Sequence, residues 1–210
     1  MKDAVVVSVA PERLGRWVDN FGERHGPTRL EVADGALHGM AADGSRFTAH
    51  LPFSLRYDGP VEEGADPVAA MVDAARPPQR WGVLLVRKGG FAVARLTGPE
   101  LTEHKIGQRH VQGRTKAGGQ SQQRFARRRD NQARAAYEAA ADHAARILTG
   151  PALLVVTGGD RAAVDEVLAD PRLRHVTVTA PWLAVPDPRR AVLDAAVAEA
   201  GALRVDVVNA

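Results

Sequence analysis

Several features common in proteins are missing from this sequence of 210 residues. It has no cysteine, which excludes disulfides, thiol catalysis and cysteine-ligated zinc. It also has no apolar run of about 18 residues, so no segment is predicted to span a bilayer. Residues 1–7 lack the longer apolar stretch and the cleavage site of a secretory signal, and they are better explained as a first strand. These absences favour a cytoplasmic protein.

Recognisable metal and nucleotide motifs are missing as well. The seven histidines are scattered, with no i, i+4 pair and no HExxH motif, so no metal site is predicted. Gly158-Gly159-Asp160 follows a predicted strand but lacks the GxGxxG and Walker lysine patterns. We interpret it as a strand-to-helix turn in which the acid caps the helix. No cofactor is expected.

Positive charge is concentrated in one part of the chain, although the formal net charge is only +3. From Lys105 to Arg134 there are nine Lys or Arg residues and a single acid, Asp130. The rest of the chain is therefore net acidic. A block of this density is the electrostatic footprint of a phosphate-binding surface.

The spacing of apolar residues predicts alternating strands and helices. In residues 11–24, Leu14, Trp17, Val18 and Phe21 recur at i, i+3, i+4 and i+7, which is one stripe of a helix. Two Asp-Gly pairs separate the three strands that follow and are hairpin turn signals. The predicted strands lie at 5–9, 28–33, 36–41, 45–51, 81–87, 91–96, within 101–111, at 153–156, 175–179 and 203–208. The predicted helices lie at 11–24, 67–75, 121–148, 160–169 and 187–200.

These elements predict an α/β fold, a mixed sheet with flanking helices, preceded by a small N-terminal α+β unit. The unit is assigned to residues 1–55 and the larger domain to residues 81–210. Between them, residues 56–80 accumulate proline, glycine and acids and are interpreted as a linker with one short helix. Strands that alternate with helices in the larger domain indicate a sheet with a parallel portion.

The most informative segment joins a glycine-rich loop to the start of a long helix. Residues 112–120 contain three glycines and almost nothing apolar, which predicts a mobile loop. The loop ends in Gly118-Gly119-Gln120, and Ser121 can cap the helix that follows. The first turns of that helix then read Arg124-Phe125-Ala126-Arg127-Arg128-Arg129.

This segment resembles the GGQ-containing middle domain of eukaryotic and archaeal class-I translation release factors. In that family Gly-Gly-Gln-Ser is followed, after two variable residues, by Arg-Phe-Ala-Arg, one further residue and Arg. Residues 118–129 match this pattern at nine of twelve positions. The resemblance covers about residues 81–210 and implies a ribonuclease-H-like fold there. Because no Asn-Ile-Lys-Ser-type codon-reading motif is present, the chain is closer to the stand-alone ribosome quality-control hydrolases of eukaryotes and their actinobacterial relatives.

The resemblance implies a hydrolase that frees nascent peptides from tRNA on stalled ribosomes or large subunits without reading a codon. Gly118, Gly119 and Gln120 are the implied catalytic residues, because a backbone N–H and a side-chain amide can orient water and stabilise an oxyanion. The implied partners are the peptidyl-transferase rRNA of the large subunit and peptidyl-tRNA, bound by a monomer with no membrane contact. The implied RNA-binding residues are Arg114, Lys116, Arg124, Arg127, Arg128 and Arg129.

Two other functions fit the same residues. One is a non-catalytic module that binds RNA or the ribosome through the basic helix. The other is a release factor that depends on a stop codon read by a partner protein. A ribonuclease-H-like fold also raises the possibility of a metal nuclease, but the predicted strands are almost free of the acids that such a site needs. The recognition role of the first 55 residues is left open.

Overall fold

A computed structural model describes residues 4–59, 64–108 and 120–210, with the backbone alone for residues 120–133. Two compact units are present: an N-terminal unit formed by Met1–Pro77 with Ala198–Ala210, and a central unit formed by Pro78–Val197. The described residues form ten strands and five α-helices, which confirms the α/β fold class. In chain order the elements are β1 (Val5–Val9), α1 (Leu14–His25), β2 (Thr28–Ala33), β3 (Ala36–Ala41), β4 (Arg46–His50), α2 (Pro67–Ala74), β5 (Trp81–Arg87), β6 (Gly90–Thr97), β7 (Glu100–Gln108), α3 (Gln120–Ile147), β8 (Leu153–Gly159), α4 (Arg161–Leu168), β9 (Val176–Leu183), α5 (Arg190–Ala200) and β10 (Leu203–Val208).

The sheet of the N-terminal unit is antiparallel throughout, in the order β1-β10-β4-β3-β2. Helix α1 buries Leu14, Val18 and Phe21 against one face of the unit's core, which confirms the predicted stripe. The β2–β3 hairpin turns at Asp34 and Gly35, whose φ angles of 52° and 80° are those of a type I′ turn. Local sequence therefore specifies this part of the fold well.

Strand β10 belongs to a different sheet from the one that its position in the sequence predicted. We assigned it to the larger domain, but it pairs with β1 and with β4 in the N-terminal sheet. Its alternation buries Leu203 and Val205 and leaves Arg204 exposed, which is typical of an antiparallel strand with one covered face. That pattern predicts a strand but does not identify its partner, because strand pairing is a tertiary property.

Helix α2 lies in the segment that the sequence indicated as a linker. The Asp66 side chain caps it by accepting from the backbone N–H of Val68, and Val68 and Met71 are buried in the core of the N-terminal unit. The short helix is confirmed at Pro67–Ala74, and it packs as part of the N-terminal unit.

The sheet of the central unit has the order β7-β6-β5-β8-β9. Strands β5, β6 and β7 form an antiparallel meander, and β8 and β9 are added parallel to β5. Strand β6 is therefore the one that runs against the other four. Helices α3 and α4 cover the face that carries Leu84, Val93 and Val155, and together they enclose a continuous apolar core.

Helix α3 is fixed where it ends. Leu148, directly after the helix, is fully buried, and a Cβ added at Gly82 would lie 2.5 Å from its Cδ2 atom. Gly82 thus allows the end of the helix to approach β5 closely. Arg146 adds an ion pair with Glu103 of β7. Together the two contacts hold the C-terminal end of α3 against β5 and β7.

Candidate functional site

The predicted catalytic loop leaves the central sheet at one end, which we call the loop end. Strands β5, β7, β8 and β9 finish there and β6 begins there, as the register of the ladders shows. The residues that mark the loop end are Arg87, Gly90, Gln108, Gly159 and Leu183.

Helix α3 is longer than the sheet on which it packs. Its 28 residues span about 42 Å at 1.5 Å per residue. Strand β5, with seven residues, spans about 23 Å. The helix is therefore about 20 Å longer than that strand, and because its C-terminal end is anchored at the opposite end of the sheet, its N-terminal turns are directed toward the loop end.

The structure describes the backbone of some of the predicted site residues and leaves the others outside the described residues. Gln120 is the first residue of α3, so the helix begins directly at the Gly-Gly-Gln tripeptide. Arg124 and residues 127–129 follow in the first three turns of the helix. Their side chains, with Gly118, Gly119, Arg114 and Lys116, lie outside the described residues.

The start of α3 has electrostatic properties of its own. The first four backbone N–H groups of an α-helix have no partner within the helix and point away from it along its axis. Together with the aligned peptide dipoles they give the N-terminus about half a positive charge. The N–H of Gln120 is one of these groups, which suits it to an anionic oxygen.

The base of the loop is built around Phe91. Its ring is buried and stacks on His143 of α3, with the ring centroids 5.6 Å apart. On its other side the ring lies under Gly107 of β7, where an added Cβ would lie 2.3 Å from its Cε1 atom. Burial lowers the pKa of His143, and the nearby charges of Lys105 and Arg146 lower it further. The neutral His143 ring and the Phe91 ring stacked on it thus connect α3 to the last residues of β7.

Tyr137 is the largest buried side chain among the described residues of α3. It belongs to the apolar core that α3 shares with Val164 and Val167 of α4. Burial raises the pKa of the Tyr137 hydroxyl, and the charges of Asp160 and Glu166 raise it further. The phenol is therefore a neutral hydrogen-bonding group at physiological pH.

The turn between β8 and α4 confirms the structural interpretation of Gly158-Gly159-Asp160. The Asp160 carboxylate caps α4 by accepting from the N–H of Ala162 at 3.1 Å. Gly159 has a φ of 102°, and an added Cβ would lie 2.3 Å from the Val86 carbonyl oxygen. The glycine thus serves the close packing of two strands at their ends.

Sequence reasoning missed a stacked pair beside this turn. The Arg161 guanidinium carbon lies 4.2 Å from the centroid of the Trp182 ring. Arg87, also at the loop end, instead donates to the Val185 carbonyl at 2.8 Å and lies 3.5 Å from Asp187. No sequence signal joins Arg161 to Trp182, because only the parallel pairing of β8 with β9 brings them together.

The described residues contain no group of three or more His, Asp or Glu side chains arranged to hold a metal ion. Among the same residues, no helix has the length and apolar character needed to cross a membrane.

Comparison with known proteins adds the decisive observation. A family model described as the Actinobacteria/chloroflexi VLRF1 release factor matches residues 79–206, more than half of the chain. The chain belongs to this VLRF1 release factor family. The match spans the whole central sheet, the loop and α3. No curated protein matches the chain.

Membership of the VLRF1 family confirms the resemblance to release factors and implies that the chain interacts with the ribosome in translation. The matched residues include 118–129, so the motif lies inside the region shared with the family.

Proposed function

We propose that this VLRF1 family member hydrolyses the ester between a nascent peptide and tRNA on stalled ribosomes or large subunits, without reading a codon. The observation that supports the proposal is that Gln120, the last residue of the Gly-Gly-Gln tripeptide, is the first residue of α3, a helix about 20 Å longer than strand β5. A catalytic loop that enters an rRNA-lined site needs such a narrow, rigid support. Membership of a release factor family supports the same conclusion.

The chemistry follows from the groups that the motif brings. Hydrolysis of the ester passes through a tetrahedral oxyanion, which a preorganised N–H donor stabilises. The N–H of Gln120 is free of intrahelical partners and adds the partial charge of the helix start. Gly118 and Gly119 lack side chains, so the backbone can approach the ester closely. The Gln120 amide does not titrate, so it orients the attacking water and leaves proton transfer to RNA groups.

The arginines of the first turns have a positioning role in this proposal. Arg124 and residues 127–129 lie within about 14 Å of Gln120 along the helix axis, close enough to pair with phosphates that line the entrance. Arg114 and Lys116 add two charges on the loop. Such contacts carry no base information, and they make binding strongly dependent on salt. The substrate partners are the peptidyl-transferase rRNA and peptidyl-tRNA, and the reaction takes place in the cytoplasm without a cofactor.

Peptide release from stalled nascent-chain complexes tests the catalytic assignment. We expect Gln120→Ala to lower the single-turnover release rate by roughly 10²-fold, because alanine keeps the backbone N–H but loses the side-chain amide that orients the attacking water. Gln122→Ala is the matched control, because it removes the same side chain from a variable position of the motif in the same helical turn. Release by Gln120→Ala at the wild-type rate would exclude the proposed role of Gln120.

Two further results of release and binding experiments would distinguish the alternative functions. Release that requires a stop codon in the ribosomal A site, with none from isolated large subunits, would favour a codon-dependent factor. A protein that binds large subunits without releasing peptide would favour a binding module. In that case Arg127→Ala combined with Arg128→Ala abolishes binding and Gln120→Ala has no effect.

A further inference from the structure

We propose that Arg161, held against Trp182, is a second phosphate contact at the root of α3 and positions the central unit on RNA. This inference rests on the proposed function, in which the leading half of α3 enters an RNA-lined site. RNA that surrounds that half must also face the loop end of the sheet, toward which the N-terminal turns of the helix are directed. Arg161 lies at this end, two residues after the last residue of β8.

The guanidinium of Arg161 is preorganised. It lies over the Trp182 ring at 4.2 Å, and Trp182 itself packs against the core under α3 and α4. Stacking occupies the face of a guanidinium and leaves its N–H groups, which lie in its plane, directed outward. An arginine held in this way loses less rotamer freedom when it binds a planar or tetrahedral anion.

Arg161 also differs from its neighbours in having no hydrogen-bonding or ion-pair partner among the described residues, where its contact is the Trp182 ring. Among the described residues no hydrogen bond or ion pair to its guanidinium is recorded, and its side chain is exposed. Arg87 is held by the Val185 carbonyl and Asp187, whereas Arg172 pairs with Asp142 and Asp170. The nearest acid in sequence, Asp160, caps Ala162 with its carboxylate. Arg161 therefore has its donors available for an external anion.

The position of Arg161 relative to α3 explains what a phosphate contact at Arg161 would do. Helix α4, which begins with Arg161, shares one core with Tyr137 of α3, and the exposed Arg134 lies one turn before Tyr137. From Tyr137 to Gln120 the helix axis covers about 25 Å. Contacts at the tip alone leave the helix free to tilt about its tip. A second contact at the root restricts that tilt and adds to the affinity of the protein for RNA.

Binding to isolated large ribosomal subunits tests the inference with full-length protein. The variants are Arg161→Ala, Trp182→Leu and the control Arg174→Ala, which removes the same charge from an exposed residue just before β9, at the opposite end of the sheet. We expect Arg161→Ala to weaken binding about 10-fold, the effect of losing one charge-assisted hydrogen bond. The slope of log affinity against log salt should fall by about one. Trp182→Leu, with Arg161 kept, should weaken binding by less.

Release kinetics on large-subunit substrates distinguish positioning from catalysis. Arg161→Ala should raise KM and leave kcat at saturation unchanged, whereas Gln120→Ala should lower kcat and preserve binding. Hydroxyl-radical probing of rRNA should show a backbone protection that wild type and Arg174→Ala give and Arg161→Ala loses. Thermal unfolding of each variant establishes that it is folded.

Three results would overturn the inference. The first is equal affinity of Arg161→Ala and Arg174→Ala. The second is weaker binding with an unchanged salt slope. The third is weaker binding with unchanged rRNA protection, which would indicate an acidic protein surface instead of RNA. Failure of the wild-type protein to bind large subunits would count against the proposed function itself.

Discussion

Gly107 offers a direct test of how the loop base is built. An added Cβ at this position would lie 2.3 Å from Cε1 and 2.6 Å from Cζ of Phe91. Neither distance is compatible with a carbon–carbon contact, so Gly107→Ala must displace the ring. The ring is buried and stacks on His143, so its displacement disturbs the contact between β7 and α3. The φ of Gly107 is not in the left-handed region, so the steric contact decides the effect.

The expected magnitude follows from two opposing terms. Overpacking of a well-filled core costs about 1–3 kcal/mol. Replacing glycine by alanine returns about 0.4–1 kcal/mol by restricting the unfolded chain. We therefore expect Gly107→Ala to lower the free energy of unfolding by about 0.5–2 kcal/mol. Phe91→Leu removes the Cε1 and Cζ atoms that the new methyl group meets. The double variant should thus be more stable than additivity predicts, by about 1–2 kcal/mol of coupling.

Urea denaturation of the four proteins in the double-mutant cycle measures this coupling. It is followed by tryptophan fluorescence and circular dichroism, and peptide release is measured in parallel. Additive free energies within about 0.5 kcal/mol would refute the claim that the two side chains compete for one space. A Gly107→Ala protein as stable as wild type would refute it as well.

Three further outcomes are expected. Ile147→Ala, which truncates a fully buried residue at the anchored end of α3, should cost about 2–5 kcal/mol in urea denaturation. Arg172 holds the pKa of Asp170 down to about 2, so Arg172→Ala should destabilise the protein at neutral pH. The difference in stability between Arg172→Ala and wild type should shrink as the pH falls from about 4 to 2, because Asp170 becomes protonated over this range. Thermal unfolding measured at a series of pH values would show this change. Because the pKa of His143 is lowered in the folded state, the unfolded state takes up its proton first as pH falls below about 6.5. Thermal unfolding should therefore show stability declining from pH 6.5 to 5, and less so in His143→Leu.

Much of the local structure could be predicted because its signals are local. The stripe of Leu14, Val18 and Phe21 predicts α1, and the Asp34-Gly35 pair predicts a hairpin turn whose positive φ angles the structure confirms. The long helix after the loop was also predicted from the spacing of its apolar residues. In each case the residues that specify the element lie within a few positions of one another.

Strand pairing could not be predicted in the same way. Leu203 and Val205 identify β10 as a strand with one buried face, yet any sheet with a free edge or gap can accept such a strand. Its insertion between β1 and β4 depends on contacts between residues about 150 to 200 positions apart in the chain. Neither the periodicity nor the composition of the sequence predicts those contacts.

The same distinction between local sequence signals and tertiary contacts applies to the candidate site. The order of residues alone specified the Gly-Gly-Gln tripeptide and the arginines beyond, because a loop-to-helix motif is contiguous, whereas the capping role predicted for Ser121 is wrong, since the helix already begins at Gln120. Only the tertiary structure decided that the C-terminal end of α3 is anchored beside Gly82 and that Phe91 joins β7 to α3. It also decided that Arg161 rests on Trp182, since two parallel strands had to end side by side before the two side chains could meet.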